Sequence, residues 1–112
     1  KGNKMFYGDT YFVDSEIDAA GTSLRGYITA SREDLTKVFG APVDYPLDDK
    51  VTTEWTIQFD NGEVATIYDW KRYEKGRPEF NELFEWNIGG SSFDVVSLIK
   101  DAIHRSKTNM IV

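Results

Sequence analysis

The chain has 112 residues, with 13 Lys or Arg against 19 Asp or Glu, a net charge of −6. That length fits one domain spanning residues 1–112, with its core expected within about residues 24–104 and enough buried surface to need no covalent staple. The acid excess opposes generic nucleic-acid or anionic-membrane binding, the absence of cysteine removes disulfides, thiolate metal sites and cysteine nucleophiles, and no apolar run approaches the ~18 residues of a membrane span.

The opening stretch is aromatic, with Phe6, Tyr7, Tyr11 and Phe12, and allows a short edge strand around Tyr11–Val13. Residues 15–23 read as a loop turning at Gly21. Leu24–Ala30 (LRGYITA) reads as a strand with Leu24, Ile28 and Ala30 on one face and Arg25, Tyr27 and Thr29 on the other. Gly26 inside it signals a bulge or a close backbone approach. Ser31–Gly40 carries helix punctuation. Ser31 caps, Asp34 completes a shortened capping box, and Leu35, Val38 and Phe39 form an apolar stripe. Gly40 ends the helix and Pro42 forbids its continuation.

Val43–Lys50 reads as a polar loop. Glu54–Phe59 and Val64–Trp70 then flank Asp60-Asn61-Gly62-Glu63, a hairpin signature. Two registers are open. A two-residue turn pairs Phe59 with Val64 and puts Trp55, Ile57, Phe59, Val64, Tyr68 and Trp70 on one face. A three-residue turn with a bulge sets Glu63 opposite Phe59 and turns Ala65 and Ile67 to that face. The first is preferred, because the second places a charge on the apolar side. Lys71–Glu79 is a locally basic loop, Phe84–Ile88 a further strand, and Gly89-Gly90-Ser91-Ser92 leads into a helix over about 93–104. Ser91 or Ser92 is its cap, and Val95, Val96, Ile99, Ala102 and Ile103 are its buried stripe. The order β-α-β-β-β-α predicts an α+β fold: a mostly antiparallel sheet of three to five strands with two helices on one face.

Several residues could carry chemistry. His104, the single histidine, sits where a helix end favours a cation. Glu54 and Asp69 are expected opposite each other on the face away from Trp55, with Glu85 on the same side. Such a trio binds a cation or does acid–base work in some proteins and is a solvated acidic face in most. Gly89, Gly90, Ser91 and Ser92 combine free amides with a helix start, the recipe for an anion site. Trp70-Lys71-Arg72-Tyr73 interleaves aromatic and basic groups suited to stacking. Of the three tryptophans, at least two are expected in the core.

The succession GYITA, LTKVFGAP, EWTIQFDNGEVATIYDWK and WNIGG, from Gly26 to Gly90, resembles small uncharacterised proteins of tailed bacteriophages. The resemblance implies a viral setting in the host cytoplasm and, by analogy, a counter-defence role. The resulting expectation is a non-enzymatic binding protein, without cofactor, metal or catalytic residue, that sequesters a small phosphorylated, nucleotide-like ligand. Gly89, Gly90, Ser91 and Ser92 would hold phosphate, Lys71, Arg72 and Arg77 would neutralise it, and Trp70 or Tyr73 would stack. The site would lie between subunits of a homo-oligomer. The alternative is an acidic module, using Asp44, Asp48, Asp49, Glu54 and Asp60, that binds and inhibits a host protein. A third possibility is a small hydrolase built on Asp69 or Glu85.

Overall fold

The computed structural model describes residues 11–111, with side chains through residue 108. Phe6, Tyr7 and Val112 lie outside that description, as do the side chains of Met110 and Ile111. The elements run β1 (Tyr11–Val13), β2 (Ser23–Ala30), α1 (Arg32–Phe39), β3 (Val43–Asp44), β4 (Thr53–Phe59), β5 (Val64–Tyr68), β6 (Phe84–Gly90) and α2 (Asp94–Ile111). The strands form one open antiparallel sheet in the order β1-β4-β5-β6-β2, with β3 also pairing β4. The fold is α+β as expected, with six strands rather than three to five. One added strand is β3, read from the sequence as loop. Its two residues pair Val43 with Glu54 and Asp44 with Thr53.

Both helices cover the same face of the sheet. Leu35 and Phe39 of α1 and Val95, Ile99, Ala102 and Ile103 of α2 share one core with Trp55, Ile57, Phe59, Ala65, Ile67, Trp86 and Ile88. The α1 capping box is formed as the sequence predicts: the Asp34 amide donates to Ser31 Oγ at 3.0 Å, and Asp34 accepts from the Ser31 amide. Two core tryptophans then hold its ends. Trp86 Nε1 donates to the Ala30 carbonyl just before the helix (3.0 Å), and Trp55 Nε1 to the Gly40 carbonyl just after it (2.7 Å). Their rings meet edge-to-face at 5.3 Å. Each buried indole N–H is thereby satisfied, while the ring pair adds about 0.5–1.5 kcal/mol beyond its area.

The hairpin takes the register the sequence reading did not prefer. Gln58 faces Val64, Ile57 faces Ala65 and Trp55 faces Ile67. The turn is Asp60-Asn61-Gly62, with Gly62 at φ 92° and the Phe59 amide bonded to the Glu63 carbonyl. Positive φ at the third loop residue is the bulged three-residue turn that glycine permits. Ala65 and Ile67 therefore enter the core, fully buried, while Tyr68 and Trp70 leave it. The charge that argued against this register has its own partners: Glu63 Oε1 accepts from the Ser91 hydroxyl and from Ser92 Oγ (3.0 Å). A carboxylate at the rim that meets two hydroxyls carries little of the cost of one facing apolar side chains.

Two further expectations change. The register of β2 shifts between Leu24 and Gly26, which sends Leu24 to the helix-free face opposite Gly89 instead of grouping it with Ile28. Gly26 also fits the close approach, since a Cβ there would stand 3.1 Å from Val96 Cγ2. Helix α2 continues past residue 104 to Ile111, because nothing in IHRSKTNMI breaks it. His104 is thus an exposed residue inside the helix, not a C-terminal cap.

Candidate functional site: a carboxylate among aromatics on the open sheet face

Among the described residues, one face of the sheet carries no helix. Strand alternation delivers Glu54, Thr56 and Gln58 of β4, Thr66 and Tyr68 of β5, Asn87 and Gly89 of β6, and Leu24 and Tyr27 of β2 to that face. Near its middle lies an open concavity of about 270 Å³ lined by Leu24, Glu54, Thr66, Tyr68, Trp70 and Gly89, among others. Gly89 is required for its floor. A Cβ there would come within 2.6 Å of Thr66 Oγ1, and Tyr68 is already 3.5 Å away. Trp70 continues the alternation past β5 and is 48% exposed, whereas Trp55 and Trp86 are at most 1% exposed. The Tyr68 and Trp70 rings stand nearly perpendicular, at 77° with centroids 6.3 Å apart.

Glu54 is the acid of this concavity. It is half-buried, and its Oε1 accepts from the Tyr45 hydroxyl at 3.1 Å. Desolvation pushes its carboxyl above the ordinary glutamate range. The Tyr45 hydrogen bond opposes that rise, and the nearby Asp69 charge adds to it. The same charge reaches two phenols. Tyr45 is raised by burial and then by Glu54, and Tyr68 by burial, Glu54 and Tyr27. Among the described residues, the groups with clearly displaced titration all converge on this one carboxylate. No described lysine or arginine lies within ion-pair distance of it. By contrast Asp44 lies 3.0 Å from Arg32 Nη2 and 3.3 Å from Arg77 Nε.

The expected carboxylate trio is not assembled. The hairpin register puts Tyr68, not Asp69, opposite Glu54. Asp69 lies on the buried side, fully enclosed, where it accepts from the Thr52 amide (2.8 Å), the Thr53 amide (3.1 Å) and the Thr52 hydroxyl. It organises the start of β4. Glu85 is exposed and sits opposite Thr29 at the far side of the sheet. No group of three or more metal-ligating side chains occurs among the described residues.

The nine residues expected to bind a phosphorylated ligand fall into separate places. Gly89 and Trp70 meet in the concavity, and Lys71, at φ 55°, holds its Nζ 5.6 Å from the Trp70 ring centroid. Gly90 is a strand residue packed against Val95; its carbonyl accepts from Arg25 Nε at 2.8 Å. Ser91 donates its amide to the Val64 carbonyl, accepts from the Val64 amide on Oγ, and gives its hydroxyl to Glu63. Ser92 Oγ accepts from the Asp94 amide and also donates to Glu63. The chain's own carboxylate therefore occupies the hydroxyls expected to hold phosphate. Arg72 stacks over Phe84 at 4.6 Å and donates to the Gly76 carbonyl, Arg77 engages Asp44 and the Tyr45 carbonyl, and Tyr73 is half-exposed in the same loop.

Sequence reading found Glu54, Trp70 and Gly89 separately but not their meeting. Tyr45 and Tyr68 were missed as site residues. The alternation of VATIYDW contained Tyr68's placement once the turn was set at three residues. Nothing local announced that Tyr45 would reach Glu54.

No described helix is long and apolar enough to cross a membrane. No family model matches the chain, and no curated protein matches it.

Proposed function

We propose that this chain is a non-enzymatic binding protein whose recognition surface is the helix-free face of the sheet, centred on Glu54, Tyr68 and Trp70, and that its partner is a protein presenting positive charge. The observation that carries this reading is the half-buried Glu54 carboxylate, kept among aromatic side chains with no described lysine or arginine at ion-pair distance. Displaced titration in a concavity is a common mark of a functional site. A partner that supplies positive charge removes the electrostatic cost that the free protein bears there. This is the acidic-module alternative, narrowed to one of its acids. Asp44 is already paired, while Asp48, Asp49 and Asp60 are exposed in turns and add only to the long-range field. In the bacteriophage setting implied by the sequence resemblance, the partner is a host protein in the host cytoplasm, and binding inhibits it.

A nucleotide-like ligand is the second reading. It is favoured by Trp70, Lys71 and Gly89 meeting at one place, where a base would stack and Lys71 would meet phosphate. Because the concavity is open, this reading calls for a second copy of the chain to close it, a state that light scattering detects. Glu54 and Glu63 oppose it by repelling phosphate.

Amide chemical-shift mapping tests the reading, using a blocked lysine-rich peptide and adenosine monophosphate as probes. The expected result is a peptide footprint on Leu24, Thr66, Tyr68, Trp70 and Gly89. A nucleotide footprint confined to Glu63 and Gly90–Ser92 would return the site to the glycine–serine corner and overturn the proposal.

A further inference from the structure

We infer that the open-face concavity receives a cationic side chain, lysine or arginine, from the protein partner, with its charge against the Glu54 carboxylate and its methylene stem against Tyr68 and Trp70. The inference rests on the helix-free face being the recognition surface and specifies what enters it.

Four observations point the same way. Glu54 is half-buried with a phenol, not a cation, as its hydrogen-bond partner. Two aromatic rings at 77° form adjoining walls, and the negative faces of such rings attract cations at about 0.5–2 kcal/mol each, most strongly where water is excluded. The Trp70 ring already draws a cation from its own chain, Lys71 Nζ at 5.6 Å from its centroid. The surrounding field is negative, from Asp69 behind Glu54 and from the net charge of −6. Leu24 and Val51 on the lining supply apolar surface for a hydrocarbon stem. A nucleotide-like anion uses the rings and Lys71, but its phosphate is repelled by Glu54 and by the negative field around it. A neutral aromatic ligand uses the rings but leaves the carboxylate unpaired.

Trp70 reports on the site directly, since the other two tryptophans are buried. The probe is a tri-lysine peptide blocked at both ends, titrated against the full chain and followed by tryptophan fluorescence, with circular dichroism confirming the fold of every variant. We expect a saturable change, weakened about tenfold in Glu54→Gln. The double variant Asp48→Asn/Asp49→Asn, which removes more charge but away from the concavity, should bind as the parent does. Equal weakening in both variants would reduce the effect to non-specific attraction and overturn the inference, as would unchanged affinity in Glu54→Gln. A saturable response to adenosine monophosphate with none to tri-lysine would also overturn it while leaving the face as the binding surface. Silence to both probes would remove the inference and the reading beneath it together.

Discussion

Asp69 and Glu54 lie close enough to feel each other's charge, yet the fold treats them differently. Asp69 is enclosed and accepts three hydrogen bonds from Thr52 and Thr53. Asp69→Ala strands two buried amide donors, so we expect it to destabilise the fold by about 2–4 kcal/mol, measured by urea unfolding. Glu54 has one phenolic donor and a desolvated carboxyl, so its folded-state affinity for a proton exceeds that in the unfolded chain. A carboxyl raised by folding favours the fold at low pH, and that contribution disappears as pH climbs from the ordinary glutamate range through the raised value. Among the described residues, the groups facing it are Tyr45 beyond β3, and Tyr68 and Asp69 of β5 and its extension, and none of these supplies positive charge. Glu54→Gln, which still accepts from Tyr45, should therefore melt at a higher temperature than the parent at pH 7. The two should melt together near pH 3. A lower melting temperature at pH 7 would show that the ionised carboxylate stabilises the fold. Neither environment was legible in the sequence, where both acids belong to the same alternating hairpin. A one-residue choice of register decides whether Asp69 joins Glu54 on the open face or is buried.

Among the elements, legibility followed how local the determinants are. Helix α1 was readable to its caps because Ser31, Asp34 and Gly40 act within the helix itself. The hairpin turn was located but its register was not, since the preference turned on the cost of Glu63. That cost is removed by Ser91 and Ser92, 28 and 29 residues away. Strand β3 has only two residues, too few for alternation to show. The glycine pair was read as part of an anion site with free amides, whereas Gly89 and Gly90 are strand residues required by opposite faces. At Gly90 the reason is α2: a Cβ would lie 2.3 Å from Val95 Cγ2 and 3.1 Å from Cγ1. Gly90→Ala must displace the first turn of α2, and we expect a loss of about 1–3 kcal/mol in denaturant unfolding. At Gly89 the added methyl projects to the open face against Thr66. There Gly89→Ala should perturb the concavity more than the core, read as a change in Trp70 fluorescence.

At the scale of the fold, the described residues cover the sheet with helices on one side and leave the other side without a helix. An antiparallel sheet tolerates this arrangement when its open face is polar, and much of this one is, through Thr29, Thr56, Gln58, Glu85 and Asn87. The exceptions are Leu24, Tyr27, Tyr68 and Trp70, with Phe12 and Val64 flanking Gln58, placed there by the β2 bulge, the hairpin register and strand alternation. The α+β class and much of the core were readable from periodicity. The site was not, because it is assembled by pairings between distant segments: β2 with β6, β4 with β5, and the Tyr45 loop against Glu54. The central claim is that Glu54, which has no described lysine or arginine at ion-pair distance, takes its cation from a partner. Its most direct test is a carbon-detected NMR titration of the glutamate side chains, run on the free protein and again with saturating tri-lysine peptide. The account predicts that Glu54 titrates above the ordinary glutamate range when free and moves down on adding the peptide. An ordinary value that the peptide leaves in place would contradict it.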